Sequence, residues 1–248
     1  MSQLIVDEVM LREPNLLIPR KKPVGPVRVN PDKADGLYAS YLFAPNTGWL
    51  KALKGPDLTA SFALSLIPKF TQYGAAGNSQ LSGDYYSATT HEQESEFTRE
   101  ILWQPVGDRE FNFSIATTAE TPGNATRDRS LSVTDTNKFT AYVYNGAAQI
   151  LTGTTTIALN TQYHVAVTVG SAGFRLYVNG VLEDSDAAVT TAYTGYTTPE
   201  LVLGYGDQAS VTRASSGYVF MFNDWTVALS DAEIAERAND PYQILIPA

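Results

Sequence analysis

An all-β sandwich of two antiparallel sheets, preceded by an extended N-terminal arm and followed by one short C-terminal helix, is the fold this 248-residue chain predicts. Three observations carry the prediction. Thr, Tyr, Val and Phe, which suit a pleated and half-buried surface, are plentiful, while strong helix formers are sparse. Clusters of Gly, Pro, Asn and Asp interrupt the chain about every ten residues, the spacing of short strands joined by turns. Between the clusters apolar residues recur at every second position, the period of a strand with one buried face.

Residues 1–35 break this pattern. Pro14, Pro19, Pro23, Pro26 and Pro31 each hold their own φ and bias the preceding residue towards extended backbone, which disfavours a helix. Arg12, Arg20, Lys21, Lys22, Arg28 and Lys33 place six of the chain's 17 basic residues in the same stretch. Leu16, Leu17 and Ile18 need apolar cover that disorder does not supply, and Arg20, Lys21 and Lys22 follow directly. An arm that docks on a partner through these six residues is the expectation.

The folded domain is expected over residues 36–248. Leu37, Ala39, Tyr41 and Phe43 alternate as a first strand, and residues 58–67 form a second that Pro68 ends. Residues 73–96 are polar and contain glycine, so loop is expected in part of them, before strands at 97–103, 111–115, 131–133 and 139–144. Asn145-Gly146 reads as a hairpin turn returning the chain through 149–151 and 154–159. Tyr163, Val165, Val167 and Val169 then alternate with His164, Ala166 and Thr168, one face in a core and one outward. Phe174, Leu176 and Val178 repeat the pattern before Asn179-Gly180, a primed-turn signal, and Val181-Leu182. Residues 201–204 and 217–222 complete the strands. Ser230 and Glu233 fit a capping box opening a helix from Asp231 to Ala238, ahead of Pro241.

Tyr163-His164-Val165-Ala166 followed by Leu176-Tyr177-Val178-Asn179-Gly180 resembles the central meander of laminin-G-like domains, the concanavalin A-like jelly rolls. Val227-Ala228-Leu229-Ser230-Asp231-Ala232-Glu233-Ile234, with Asn239-Asp240-Pro241-Tyr242-Gln243-Ile244-Leu245, is similar to the closing segment of such domains in tailed-phage proteins. Residues 15–23, with Gly25-Pro26-Val27, resemble the lead-in of laminin-G-like phage virion proteins. The resemblance implies a jelly roll in a virion setting. It implies no particular activity, because function lies in sites that differ between proteins sharing a fold.

Composition narrows the partners. The net charge of −9 offers no basic face for a nucleic-acid backbone. No apolar run approaches the roughly 18 residues that span a bilayer, and the start MSQLIVDEVMLREPN lacks the character of a secretion signal. Neither a nucleic acid nor a membrane is expected as partner. Without cysteine there are no disulfides and no thiolate metal sites.

Candidate chemistry is sparse. Glycosidases of concanavalin A-like fold use two strand carboxylates in a cleft. Glu92, Glu94 and Glu96 share parity, but their flanks are polar and the intervening aspartate of that enzyme family is missing, so an acidic loop is expected and no catalytic residue is assigned. His91 and His164 lack a neighbouring His or Cys and an identifiable acid partner, and His164 is read as a strand residue packed beside an aromatic. Nucleophile-elbow, Walker and dinucleotide signatures are absent. Asp184, Asp186 and Asp207 are the candidates for calcium, without a matching motif, and no cofactor is assigned. Tyr193, Tyr196, Tyr205 and Trp225 are the candidates for stacking on a glycan.

The expected function is that of a non-enzymatic phage virion structural protein, assembled in the host cytoplasm, that decorates or stabilises the capsid through its arm. Its partner would be the major capsid protein or another virion protein, with a second copy of the chain and a glycan as further candidates. The alternatives are a receptor- or glycan-binding module of a tail or fibre, and a glycan-active enzyme.

Overall fold

The computed structural model describes residues 26–43, 51–61, 70–71, 74–78, 85–88, 94–105, 113–119, 127–134, 136–195, 200–203 and 216–248. In chain order the strands are β1 (Val27–Val29), β2 (Leu37–Leu42), β3 (Thr59–Ser61), β4 (Phe70–Thr71), β5 (Gly74–Asn78), β6 (Tyr85–Ala88), β7 (Phe97–Pro105), β8 (Phe113–Ala119) and β9 (Arg127–Val133). They continue as β10 (Lys138–Tyr144), β11 (Ala148–Thr156), β12 (Tyr163–Gly170), β13 (Gly173–Val178), β14 (Val181–Asp186), β15 (Glu200–Leu203), β16 (Ser216–Trp225) and β17 (Leu245–Pro247), with helix α1 (Asp231–Asn239) before the last. A seven-stranded sheet runs β11-β10-β9-β8-β15-β6-β3. A second sheet runs β14-β13-β12-β7-β16, and β2 and β5 pair with successive parts of β16.

The central meander forms as its spacing predicts. Val178 pairs with Val181 across a two-residue turn in which Asn179 (φ 50°) and Gly180 (φ 80°) both take positive φ, the primed geometry that matches strand twist. The Asn145-Gly146 hairpin is one residue longer, since Tyr144 pairs with Ala148. Val165, Val167, Leu176 and Val178 lie together in the core between the sheets, where each fully buried side chain contributes about 1.5–3 kcal/mol.

The outward face expected of β12 is not outward: His164, Ala166 and Thr168 are all buried. The C-terminal segment covers them. Thr98 Oγ1 donates to Val227 O (2.8 Å) and accepts from Leu229 N (2.8 Å), which holds the chain on β7 as it approaches α1. Ser230 caps the helix as its spacing predicts: Ser230 N donates to Glu233 Oε2 at 2.8 Å and Glu233 N donates back to Ser230 Oγ. Ile234 of α1 then packs with Ala166, Tyr177, Trp225 and Ile244 in a second apolar cluster outside the sheet. Period 2 reports which residues share a face, but whether a face meets water depends on what the rest of the chain lays over it.

The C-terminal end of the segment read as an arm is paired. Val27–Val29 form an antiparallel ladder with Leu245–Pro247, Ala248 N donates to Pro26 O (3.0 Å), and Asn30 N donates to Ile244 O (2.7 Å). Pro31 opens a single 3-10 turn that Asn30 caps, and Lys33 reaches Glu236 of α1 at 3.1 Å.

Candidate functional site

β10 alternates in burial, with Phe139, Ala141 and Val143 in the core and Thr140, Tyr142 and Tyr144 on the outer face of the seven-stranded sheet. The segment after β14 is pinned beside the end of β10: Ala192 N donates to Ser95 O and Tyr193 N to Tyr144 O, both at 2.8 Å. The Tyr144 and Tyr193 rings meet edge to face, 5.6 Å between centroids. Tyr142 stands opposite Ile150, which is 65% exposed, and Tyr193 is 41% exposed. Tyr142, Tyr144, Ile150 and Tyr193 thus make an aromatic and apolar ledge, the kind of surface on which a sugar ring stacks.

Of the four aromatic residues expected to bind glycan, Tyr193 belongs to this ledge, and Tyr196 and Tyr205 lie outside the described residues. Trp225 requires correction. It is 2% exposed, its Nε1 donates to Glu100 Oε1 at 3.3 Å, and the Arg237 guanidinium lies 4.0 Å over its ring, so no sugar reaches it. Trp225 ends a strand whose outer face α1 covers, and the indole N–H needs a buried acceptor there.

The candidate calcium ligands serve the backbone. Asp184 Oδ2 accepts from Thr152 N (2.8 Å) and its Oδ1 from Ser185 N (2.8 Å), while Asp186 Oδ1 accepts from Ala188 N (2.9 Å). Asp207 lies outside the described residues, and among these no group of three or more His, Asp or Glu side chains converges as a metal site. Glu94 and Glu96 occupy the bend leading into β7, as an acidic loop would, and Glu92 is outside the described residues. Leu16, Leu17, Ile18, Arg20, Lys21 and Lys22 are likewise outside them.

The polar knot under α1 is what sequence reasoning missed. Glu100 of β7 is buried; its Oε1 accepts from Asn223 Nδ2 (2.8 Å), Trp225 Nε1 (3.3 Å) and Arg237 (3.4 Å), and its Oε2 meets His164 Nε2 at 3.1 Å. Burial alone pushes the Glu100 carboxyl up, but the His164 hydrogen bond and the Arg237 charge outweigh it and hold it below the ordinary glutamate range. An ionised carboxylate only accepts, so His164 Nε2 carries the proton in this bond. The acid partner of His164 is therefore 64 residues away in sequence, on the neighbouring strand. Its one legible signal is Arg99-Glu100 inside an otherwise apolar run, since buried charges are rare unless paired. Arg99 faces the opposite way, into the inter-sheet core, and pairs with Asp224 at 3.1 Å.

A cleft of about 400 Å³ opens between the β12–β13 hairpin and the start of α1. In it Asp231 Oδ1 accepts from Tyr177 OH (2.8 Å) and Arg175 (2.5 Å), and the tyrosine hydrogen bond with the Arg175 charge holds the Asp231 carboxyl below its ordinary value.

Two packed antiparallel sheets, one with its outer face covered by a C-terminal segment, define a lectin-like β sandwich. The chain belongs to the laminin G family of the concanavalin A-like lectin/glucanases superfamily, whose profile matches residues 80–235. No curated protein sequence matches it. Among solved structures it is similar to Trypanosoma rangeli sialidase in complex with sialic acid, at 16% identity and TM-score 0.61, over 95% of this chain and 38% of that one. A further T. rangeli sialidase structure matches at 14% identity and TM-score 0.58, over 84% of this chain and 33% of that one. The receptor binding domain of botulinum neurotoxin C/D mosaic serotype matches at 12% identity and TM-score 0.59, over 84% of this chain and 52% of that one. The chain thus spans about a third of the sialidases it matches, and these likenesses establish the fold alone.

Proposed function

We propose that this chain is a non-enzymatic structural protein of a phage virion, a capsid decoration module that residues 1–25 fasten to the major capsid protein or a neighbouring virion protein. The observation that carries this reading is the β1–β17 ladder. Directly after residues 1–25, the backbone from Pro26 to Asn30 is hydrogen-bonded to the C-terminal strand, and Val29 is laid against the apolar cluster under α1. Load on the arm passes into a ladder and a packed helix instead of a loop. Leu16, Leu17 and Ile18 supply apolar anchors, and Arg20, Lys21 and Lys22 suit an acidic rim. A non-catalytic role is supported by how four of the described carboxylates are used: Glu100 is buried among four donors, Glu183 and Asp184 accept backbone amides, and Asp231 is paired with Arg175.

Deleting residues 1–25 is expected to leave the melting profile unchanged and to abolish co-sedimentation with particles lacking the native protein. The cut stops before Pro26 because a longer deletion removes β1. Normal attachment of the truncated chain would refute the anchor and move attachment to the sandwich.

A second reading, a glycan-binding module of a tail or fibre, is favoured by the exposed Tyr144–Tyr193 ledge. The fold it shares with a sialidase solved with sialic acid and with a toxin receptor binding domain is compatible with it. On this reading Tyr193→Ala weakens retention on immobilised sialylated glycans by about tenfold. Equal retention of the two proteins would remove the ledge from consideration.

A further inference from the structure

Edge strands present unpaired N–H and C=O groups and so act as templates for a further strand. The seven-stranded sheet ends on β11, and Ala148–Thr156 (AQILTGTTT) contains no charge and no proline while being rich in Thr, Ile and Leu. Such a segment pairs readily with its own kind. Across the side of the sandwich the other sheet ends on β14.

Both edges are irregular, and the irregularities face each other. In the β10–β11 ladder Lys138 pairs with Thr156 and Thr140 with Thr152, so three residues of β11 lie against the single Phe139. In the β13–β14 ladder Tyr177 pairs with Leu182 and Leu176 with Asp184, which leaves Glu183 as the extra residue of a bulge. A bulge re-aims the side chain it carries. Glu183 turns to β11, where its Oε2 accepts from Thr154 N (2.8 Å) and Thr155 N (3.1 Å), and its Oε1 accepts from Thr155 Oγ1. Asp184 takes the next amide, Thr152 N, at 2.8 Å. The approach requires glycine between them: a Cβ on Gly153 would lie 2.4 Å from Glu183 Oε2. Lys138 Nζ covers Thr154 O and reaches Thr156 Oγ1 (2.7 Å).

We propose that Glu183 and Asp184, seated over Gly153, form a latch on a gated homotypic interface. Closed, the latch occupies the Thr152, Thr154 and Thr155 amides of β11 and keeps that part of the edge from adding a strand. With the latch removed, β11 pairs antiparallel with β11 of a second copy. The partner is a second copy because an uncharged strand meets its two-fold mate without like-charge repulsion, and Ile150, 65% exposed on that strand, adds apolar surface to the contact. This inference is independent of the arm and shares only Ile150 with the ledge.

The test uses the full chain, with mass from light scattering over a concentration series and amide exchange by NMR. The wild type is expected to remain monomeric. Glu183→Ala with Asp184→Ala should form a dimer at high micromolar concentration. In dilute monomer the Thr152, Thr154 and Thr155 amides should exchange about tenfold faster than in the wild type. Gly153→Ala keeps both charges but forces the Glu183 carboxylate to shift from its seat, so it should change exchange and mass in the same direction, and it is the second variant if the double variant does not fold. Adding Ile150→Lys, an edge lysine, should return either variant to monomer. Folded variants that stay monomeric, or Thr154 and Thr155 amides that exchange equally in wild type and Gly153→Ala, would overturn the proposal.

Discussion

Replacing Val165 by aspartate should yield no soluble, folded protein. Val165 is fully buried, lies between Ile101 of β7 and Val178 of β13, and belongs to the core shared by both sheets. A carboxylate there has no cation opposite it, and burying it unpaired costs more than a marginally stable domain can supply. The choice of position matters. Val167, two residues on, stands opposite Arg99 in the same ladder, so an aspartate at 167 would find a guanidinium and test the core less sharply. Val165→Ala is the graded control and should lower stability by about 2 kcal/mol in urea unfolding. Cooperative melting of Val165→Asp at the wild-type temperature would mean that the register of β12 is wrong.

Glu100→Ala is expected to cost about 3–5 kcal/mol, because it leaves the Arg237 charge and the donors of His164, Asn223 and Trp225 buried without their acceptor. The loss should appear first in α1, as faster exchange of amides in residues 231–239, since Arg237 ties the helix to the sheet through this carboxylate. Glu100→Gln keeps the volume, removes the charge and turns an N–H₂ on at least one donor, so its loss should be smaller. It also isolates the pH dependence. The folded chain holds the Glu100 proton more weakly than the unfolded chain does, so the stability from the ionised form is fully present above the ordinary value of 4.5. It is lost as pH falls from there through the lower folded value. The wild-type melting temperature should therefore drop more steeply below pH 4.5 than that of Glu100→Gln. Parallel profiles, or a Glu100→Ala cost under about 1 kcal/mol, would remove the knot as a major support of the helix.

Local rules decided much of this protein. Alternation placed Val165, Val167, Leu176 and Val178 on one core face, Asn179-Gly180 set a primed turn because Asn and Gly both take positive φ at low cost, and Ser230 with Glu233 started the helix. These interactions close within a few residues, so their partners are visible in the sequence itself. Tertiary structure decided the rest. Trp225 looks like an exposed aromatic until α1 folds over it, His164 lacks an acid until β7 is laid beside β12, and Asp184 resembles a turn ligand until β11 offers it an amide. For His164 and Asp184 the partner lies 64 and 32 residues away in the chain, and for Trp225 it is a helix whose docking on the sheet no local pattern fixes. A polar side chain's role depends on which donor or charge occupies the few ångströms around it, and period 2 fixes the face on which a side chain sits without fixing what is packed against that face.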